Sequence, residues 1–248
     1  MRLLLYNIRY AVGGGASMHM PLPGAGYVLG NREVLPELTR FIKSVDPDIV
    51  GLIEIDTGSI RSRNVNHAEK IASDLGMNTS YETKYGSKSI NTMLPIVRKQ
   101  GNAFMAAARV HGEKFHYFDT GIKRLIIELE MREFAVFLVH LSLKYRHRHL
   151  QLRHLYDLIA ATEKPVIVAG DFNTFWGENE IYLFKKAAGL KSANSQAIPT
   201  YPSRAPRKEL DFILYQEGIE VTNFEVPEVK YSDHLPLVCA FEVNKGAS

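Results

Sequence analysis

Residues 166–173 read Val166-Ile167-Val168-Ala169-Gly170-Asp171-Phe172-Asn173, an apolar run followed at once by a glycine, a carboxylate and an amide. A short apolar run that ends at glycine is typical of a buried strand. Asp171 and Asn173 then come where the strand ends, and a rigid sheet can hold polar side chains in place there. We interpret the stretch as a strand that leads into a functional site.

The same arrangement recurs at five further places, where a polar residue able to bind a metal ion or a phosphate lies at the end of an apolar run. These residues are Asn7, Glu54, His140, Asp211 and the pair Asp233-His234. Taken singly, each is more often a residue that caps a turn or bonds a loop backbone. Six such positions in one chain favour a common site.

Short apolar runs separated by turn signals predict strands along most of the chain. The expected strands cover residues 3–6, 49–53, 103–110, 125–129, 134–141, 166–169, 210–215, 219–226 and 237–243. Helical spacing of apolar residues occurs at 34–45, at 66–76, after Tyr145 and at 181–189. This mixture of hairpins and crossovers favours two sheets packed face to face with helices outside.

The length, composition and charge of the chain limit its domain number, its disulfides, its location and its ligands. The chain has 248 residues, 46% of them apolar, and no Pro/Ser-rich or charged linker divides it, so we expect one domain over 1–248. The single cysteine, Cys239, excludes an intramolecular disulfide. The longest apolar run, 134–143, is too short for a membrane span, so we expect a cytoplasmic protein without a transmembrane segment. A formal net charge of +3 is compatible with anionic substrates, and nothing in the sequence implies an obligate protein partner.

Seven motifs, in order along the chain, resemble those of the endonuclease/exonuclease/phosphatase superfamily, which has the deoxyribonuclease I-like fold. They are Leu-Tyr-Asn-Ile-Arg at 4–8, Gly-Leu-Ile-Glu at 51–54, Gly-Asn-Ala at 101–103, Val-His-Leu at 139–141, Gly-Asp-Phe-Asn at 170–173, Leu-Asp-Phe-Ile at 210–213 and Ser-Asp-His-Leu-Pro-Leu at 232–237. The resemblance implies an α+β fold, a four-layer α/β/β/α sandwich whose two mixed, mostly antiparallel sheets pack face to face with helices outside. It also implies hydrolysis of phosphoester bonds with a divalent metal ion, usually Mg²⁺ or Mn²⁺.

The metal and the substrate phosphate each have expected ligands. Asn7 and Glu54 offer an amide oxygen and a carboxylate, which suit a hard cation that keeps several waters. By the resemblance, Asp233 is a further metal ligand or a support for one. Asn102 and Arg124 are expected to bind the substrate phosphate, although Lys123-Arg124-Leu125 matches the family's Arg-Gly-Ala-Leu only in part.

The resemblance also implies the catalytic roles. Asp171 orients or deprotonates the attacking water, and the amide of Asn173 donates to a non-bridging phosphate oxygen. His234 contacts the phosphate or the water, and Asp211 fixes its tautomer. His140 lies opposite as a phosphate ligand or as a general acid toward the leaving group. Whether Asp171 or His234 is the general base stays open.

The substrate also stays open, with a phosphodiester favoured over a phosphomonoester. The basic stretch 144–154 could hold a nucleic acid backbone, although the solvated face of a helix is the commoner reason for such a stretch. The loop 12–30, with its methionines, and Phe175-Trp176 could instead surround a phospholipid head group with apolar surface. The alternative from another functional class is a catalytically silent module that binds phosphate ligands. The presence of every expected catalytic residue argues against it.

Overall fold

The computed structural model describes residues 1–13, 34–83, 99–121, 123 and 125–244. Two six-stranded sheets account for the twelve strands of these residues. The strands are β1 (Arg2–Asn7), β2 (Ile49–Asp56), β3 (Asn78–Thr83), β4 (Gln100–Ala106), β5 (Gly112–Tyr117), β6 (Leu125–Glu130), β7 (Ala135–His140), β8 (Val166–Asp171), β9 (Lys191–Ser192), β10 (Asp211–Tyr215), β11 (Ile219–Glu225) and β12 (Leu237–Val243). The α-helices are α1 (Val34–Val45), α2 (His67–Leu75), α3 (Tyr145–Ala160) and α4 (Tyr182–Ala187), and short 3-10 helices cover Arg9–Ala11 and Glu178–Ile181.

Strand direction brings the expected site residues to one edge of each sheet. The first sheet has the order β11-β12-β1-β2-β4-β3, and the second has the order β5-β6-β7-β8-β10-β9. β1 and β2 are parallel, so Asn7 and Glu54 lie near their carboxyl ends on the same side. β7 and β8 are also parallel, and their register pairs His140 with Asp171. β10 runs antiparallel to β8 and begins opposite Asp171 with Asp211.

The four layers follow from the two-residue alternation of side chains along the strands. In β1, Leu3 and Leu5 pack into the core between the two sheets, whereas Leu4 packs against helices on the other face. α1 and α2 cover that outer face of the first sheet. α3 and α4 cover the outer face of the second sheet in the same way. The predicted sandwich of two sheets flanked by helices is confirmed.

The termini of α2 agree with the sequence. The side chain of Asn66 accepts a hydrogen bond from the backbone of Ala68 at 3.1 Å, which caps the first turn. Gly76 ends the helix with φ of 67°, a left-handed conformation that glycine adopts without a steric penalty. Of the helices that the structure describes, none is both long and apolar enough to cross a lipid bilayer.

The strands that sequence patterns missed are edge strands. β3, β5 and β9 each lie at the border of a sheet and pair with a single neighbour. Their side chains are half-buried or exposed, so they lack the apolar run that reveals a central strand. The expected strand at 103–110 was also displaced, since β4 starts at Gln100 and ends at Ala106.

The basic stretch 144–154 forms the first part of α3, but its interpretation as a solvated face is wrong at one position. Arg148 is buried, and its guanidinium pairs with the carboxylate of Glu180. The same guanidinium donates to the backbone carbonyls of Ser142 at 2.8 Å and Leu143 at 3.0 Å. A buried cation is tolerated when it is paired and hydrogen-bonded, and this one joins the loop after β7 to the loop after β8.

Replacing Arg148 by methionine is expected to lower the free energy of unfolding by roughly 3–5 kcal/mol, because the carboxylate of Glu180 loses its buried partner. Urea unfolding measures the change. The matched control is Arg146→Met on the exposed part of the same helix, with an effect within about 0.5 kcal/mol. Adding Glu180→Gln to Arg148→Met should recover part of the loss. A loss below about 1 kcal/mol in Arg148→Met contradicts a structural role for the pair.

Candidate active site

Asp171 lies at the centre of the candidate site. Its Oδ2 atom accepts a hydrogen bond from the side-chain amide of Asn7 at 3.1 Å and lies 3.2 Å from Nε2 of His140. Nε2 of His234 is 4.0 Å from the same oxygen. Burial acts to raise the pKa of Asp171, but the positive charges of His140, His234 and Lys123 outweigh it and hold this pKa well below its ordinary value. Asp171 is therefore an ionised carboxylate in a positive environment.

Asp211 and His234 form a buried pair beside Asp171. Nδ1 of His234 lies 2.8 Å from Oδ2 of Asp211, and the hydroxyl of Thr200 donates to that same oxygen at 2.6 Å. Burial lowers the pKa of His234, but the adjacent charge of Asp211 outweighs it and raises this pKa to about 10. Burial also raises the pKa of Asp211. Both shifts mean that the pair keeps its proton at neutral pH, with Nε2 of His234 directed toward Asp171.

Glu54 reaches the site from the first sheet through a local irregularity of β2. The pairing of β2 with β4 shifts register between Ile53 and Ile55, and Glu54 has φ of 59°. The backbone N–H of Glu54 donates to Oδ1 of Asn102 at 3.3 Å, so a buried amide holds this conformation. Oε1 of Glu54 then lies 4.0 Å from Nδ1 of His140. The site thus includes side chains from both sheets.

The two amides Asn102 and Asn173 have backbone partners. Asn102 supports Glu54, and its Nδ2 atom is buried without a hydrogen-bond partner in the described part of the chain. Asn173 has φ of 53°, and its backbone N–H donates to Oδ1 of Asp171 at 3.0 Å. Nδ2 of Asn173 donates one hydrogen to the carbonyl of Leu141 at 2.9 Å. Since an amide nitrogen carries two hydrogens, the second can serve a substrate oxygen.

Asp233 lies at the border of the site. Its Oδ2 atom pairs with Nη1 of Arg9 at 3.1 Å, and both side chains are mostly buried. The backbone N–H of Arg9 donates to Oδ1 of Asn7 at 3.2 Å. The structure therefore places Asp233 with Arg9, while a set of close potential metal ligands among the described residues consists of Asp171, Asp211 and His234, within 4.8 Å of one another.

Sequence patterns did not single out Lys123, which lies among the catalytic candidates. Its ammonium contacts Nε2 of His140 and is 4.0 Å from Oε1 of Glu54. Arg124, the residue expected to bind phosphate, lies outside the described residues, as does most of the loop 12–30. Lys123 and Arg124 are adjacent cations directly before β6, and no pattern of residues shows which of the two belongs to the site.

Tyr201 is a second neighbour of the site that sequence patterns missed. Its ring centroid lies 4.9 Å from that of His234, and its ring also contacts that of Phe175. Tyr201 follows Thr200, which donates to Asp211, so one short segment both supports the Asp211–His234 pair and covers the imidazole. Tyr201 lies outside the apolar runs and strand ends from which the other site residues were predicted.

A family model described as the endonuclease/exonuclease/phosphatase family matches residues 6–234 of the chain, a range that contains all the site residues above. The chain belongs to the endonuclease/exonuclease/phosphatase family. The chain is also similar to the uncharacterized protein YbhP of Escherichia coli strain K12, with 26% identity over 236 residues that cover 86% of this chain and 90% of YbhP.

Solved structures of endonuclease/exonuclease/phosphatase proteins share its fold. The mannosyl-6-phosphatase of Bacteroides thetaiotaomicron VPI-5482 has a TM-score of 0.72 at 13% identity, and the match covers 98% of this chain and 99% of that one. The TDP2 protein of D. rerio, complexed with a single-strand DNA product, has a TM-score of 0.69 at 16% identity, with 98% and 99% covered. Membership of the endonuclease/exonuclease/phosphatase family supports phosphoester hydrolysis as the chemistry of this site.

Proposed function

We propose that the protein is a divalent-metal-dependent hydrolase of phosphoester bonds. The observation that carries the proposal is the environment of Asp171, whose Oδ2 atom lies within 4.0 Å of the amide of Asn7 and of two imidazoles. Such a set can hold a water, a phosphate and a leaving oxygen at once. A phosphodiester is favoured because Leu143 and Trp176, exposed in the loops after the strands of His140 and Asp171, offer surface to a second ester substituent.

The residues present fit a hard divalent cation. Within the described chain the site offers carboxylates, amide oxygens and imidazoles but no thiol, which suits Mg²⁺ or Mn²⁺. Glu54 and Asn7 would hold the ion. Asp171, Asp211 and His234 are a less suitable set, because a metal there displaces the hydrogen bond between Asp211 and His234. When bound, the ion neutralises charge on the phosphate and polarises its oxygens.

Three side chains of the protein then have separate roles in hydrolysis. The ionised carboxylate of Asp171 accepts a hydrogen bond from the attacking water and orients it. His234 carries a proton at neutral pH, so it donates to a phosphate oxygen rather than accepting the proton of the water. Asn173 donates its second amide hydrogen to another non-bridging oxygen. These assignments favour Asp171 over His234 as the group that orients or deprotonates the attacking water.

His140 and Lys123 complete the proposed roles on the other side of Asp171. The imidazole of His140 is buried, and its Nε2 atom lies against both Oδ2 of Asp171 and the ammonium of Lys123. This position allows His140 to donate a proton to the leaving oxygen, while Lys123 adds positive charge next to the phosphate. Asn102 keeps Glu54 in place through its backbone, and the pair of Arg9 with Asp233 holds Asn7.

The test is hydrolysis of an aryl phosphodiester and an aryl phosphomonoester by the purified protein. Hydrolysis is expected with Mg²⁺ or Mn²⁺ and should fall at least about 100-fold when EDTA removes the metal, because the charge of the phosphate is then less fully neutralised. Restoring either ion should restore the rate. A mannose phosphate and single-stranded DNA serve as further substrates, chosen from the activities and ligands of the two structural neighbours. Folded, metal-supplied protein that binds phosphate esters without cleaving any of them supports the silent binding module instead.

A further inference from the structure

Three loops leave the strand ends that carry Glu54, His140 and Asp171, and each exposes at least one large apolar side chain. Ile60, after β2, is 75% exposed. Leu143, after β7, is 59% exposed, and Trp176, after β8, is 83% exposed. A single exposed apolar residue is ordinary, but one from each loop that borders a polar reaction centre indicates an interaction surface. We call these three side chains the apolar rim.

The loops of the apolar rim are held firmly although their tips face solvent. The carboxylate of Asp56 accepts hydrogen bonds from Ser59 and Arg61, on both sides of Ile60. The backbone N–H of Trp176 donates to Glu180 at 2.8 Å, and Glu180 pairs with Arg148. Since Arg148 also binds the carbonyl of Leu143, the tips after β7 and β8 are connected through one buried ion pair. The three side chains are thus displayed outward on rigid supports.

Exposed cations accompany each member of the apolar rim. Arg63 lies three residues after Ile60, Lys144 directly follows Leu143, and Lys208 donates to the carbonyl of Phe175, the residue before Trp176. The acidic side chains of these loops and of the adjoining strand end have cationic partners: Asp56 pairs with Arg61, Glu178 with Lys185, and Glu180 with Arg148. Among the residues that the structure describes, the surface around the site therefore combines protruding apolar groups with positive charge that the acidic side chains of these loops do not neutralise.

We propose that the apolar rim docks the protein onto the surface of an anionic phospholipid bilayer, and that the substrate is a phosphoester of a lipid head group. The inference rests on the proposed function. Tryptophan, leucine and isoleucine enter the boundary between head groups and acyl chains, while lysine and arginine attract the anionic surface. Docking in this orientation presents head-group phosphates to the reaction centre between the three loops.

A nucleic acid fits the apolar rim less well. Single strands bind through aromatic platforms on which bases stack, together with a basic groove. Only Trp176 of the three rim residues is aromatic, and exposed aliphatic side chains such as Ile60 and Leu143 gain little from a base or a phosphate backbone. The two aliphatic side chains of the apolar rim therefore favour a lipid bilayer over a nucleic acid.

The chain's only tryptophan is Trp176, so its fluorescence reports directly on the rim. The full-length protein is mixed with vesicles of phosphatidylglycerol, with vesicles of phosphatidylcholine and with a single-stranded oligonucleotide. Sedimentation with phosphatidylglycerol vesicles and an emission shift to shorter wavelength are expected, and binding should weaken as salt is added. Arg63→Ser or Lys144→Ser should each weaken vesicle binding about fivefold.

The double variant Ile60→Ser/Leu143→Ser keeps Trp176 as the reporter and is expected to weaken vesicle binding at least about tenfold. The matched control is Tyr156→Ser, an exposed residue of α3 away from the strand ends, which should bind like the parent. Both variants should hydrolyse a soluble aryl ester at the parent rate. If the parent protein hydrolyses the soluble ester but does not bind the vesicles, the docking proposal is wrong and the proposed hydrolase function still stands. Oligonucleotide binding that quenches Trp176 and is lost in the double variant also overturns it, and assigns the rim to nucleic acid.

Discussion

Replacing Asp171 by asparagine is expected to lower kcat for an aryl phosphodiester by roughly 10²–10⁴-fold. The carboxylate lies within 4.0 Å of Asn7, His140 and His234, and it is the ionised oxygen best placed to orient the attacking water. An amide of the same shape removes the negative charge, and its nitrogen is a poor acceptor for a water proton. Steady-state kinetics under saturating Mg²⁺ separate this loss from weaker metal binding.

The control for Asp171→Asn is the same change at Asp157, which is exposed on α3 and should leave kcat unaltered. Circular dichroism of both variants confirms that the sandwich has formed. If folded Asp171→Asn protein retains a kcat within about threefold of the parent, Asp171 does not orient the attacking water and the proposed catalytic roles are incorrect.

The second large effect is expected at Asp211. Asp211→Asn should reduce kcat by up to roughly 10⁴-fold, because an amide in this position can no longer hold the imidazole of His234 in its required orientation and charge. Oδ2 of Asp211 lies 2.8 Å from Nδ1 of His234, and Thr200 fixes that oxygen from the other side. Rate measurements with a soluble ester test the loss.

A proton titration distinguishes this explanation from simple unfolding. In the parent protein the charge of Asp211 raises the pKa of His234 to about 10, so removing the charge should lower that pKa in Asp211→Asn. Nuclear magnetic resonance of the imidazole follows the change. Thr200→Val, which keeps the carboxylate and loses only its hydrogen bond, should give a smaller loss of kcat. A large rate loss with an unchanged pKa of His234 contradicts the proposed coupling.

Central strands and the residues at their ends could be predicted from the sequence. Apolar runs identify buried strands, and the face-to-face packing of the two sheets brings the ends of β1 and β8 together, so that Asn7 meets Asp171 across 164 positions of sequence. The edge strands β3 and β5 could not be found, because half-exposed strands carry no apolar run. The family motifs supplied the order of the site residues and their expected roles.

Sequence patterns could not predict the contacts that support the site. Arg9 and Lys123 look like ordinary surface cations in the sequence, and only the three-dimensional arrangement shows their contacts with Asp233 and His140. Arg148 belongs to a basic stretch that predicts exposure, yet it is buried because Glu180 lies 32 positions away in sequence and opposite it in space. Long-range partners of this kind leave no local periodicity.

The division of the reactive groups between the two sheets has a consequence for synthesis and refolding. Neither half of the sandwich carries a complete set, because Asn7 and Glu54 come from one sheet while His140, Asp171 and Asp211 come from the other. We therefore expect a half-assembled chain to show little of the proposed hydrolysis until the two sheets have packed together. Recovery of turnover after denaturation should then report the packing of the two sheets.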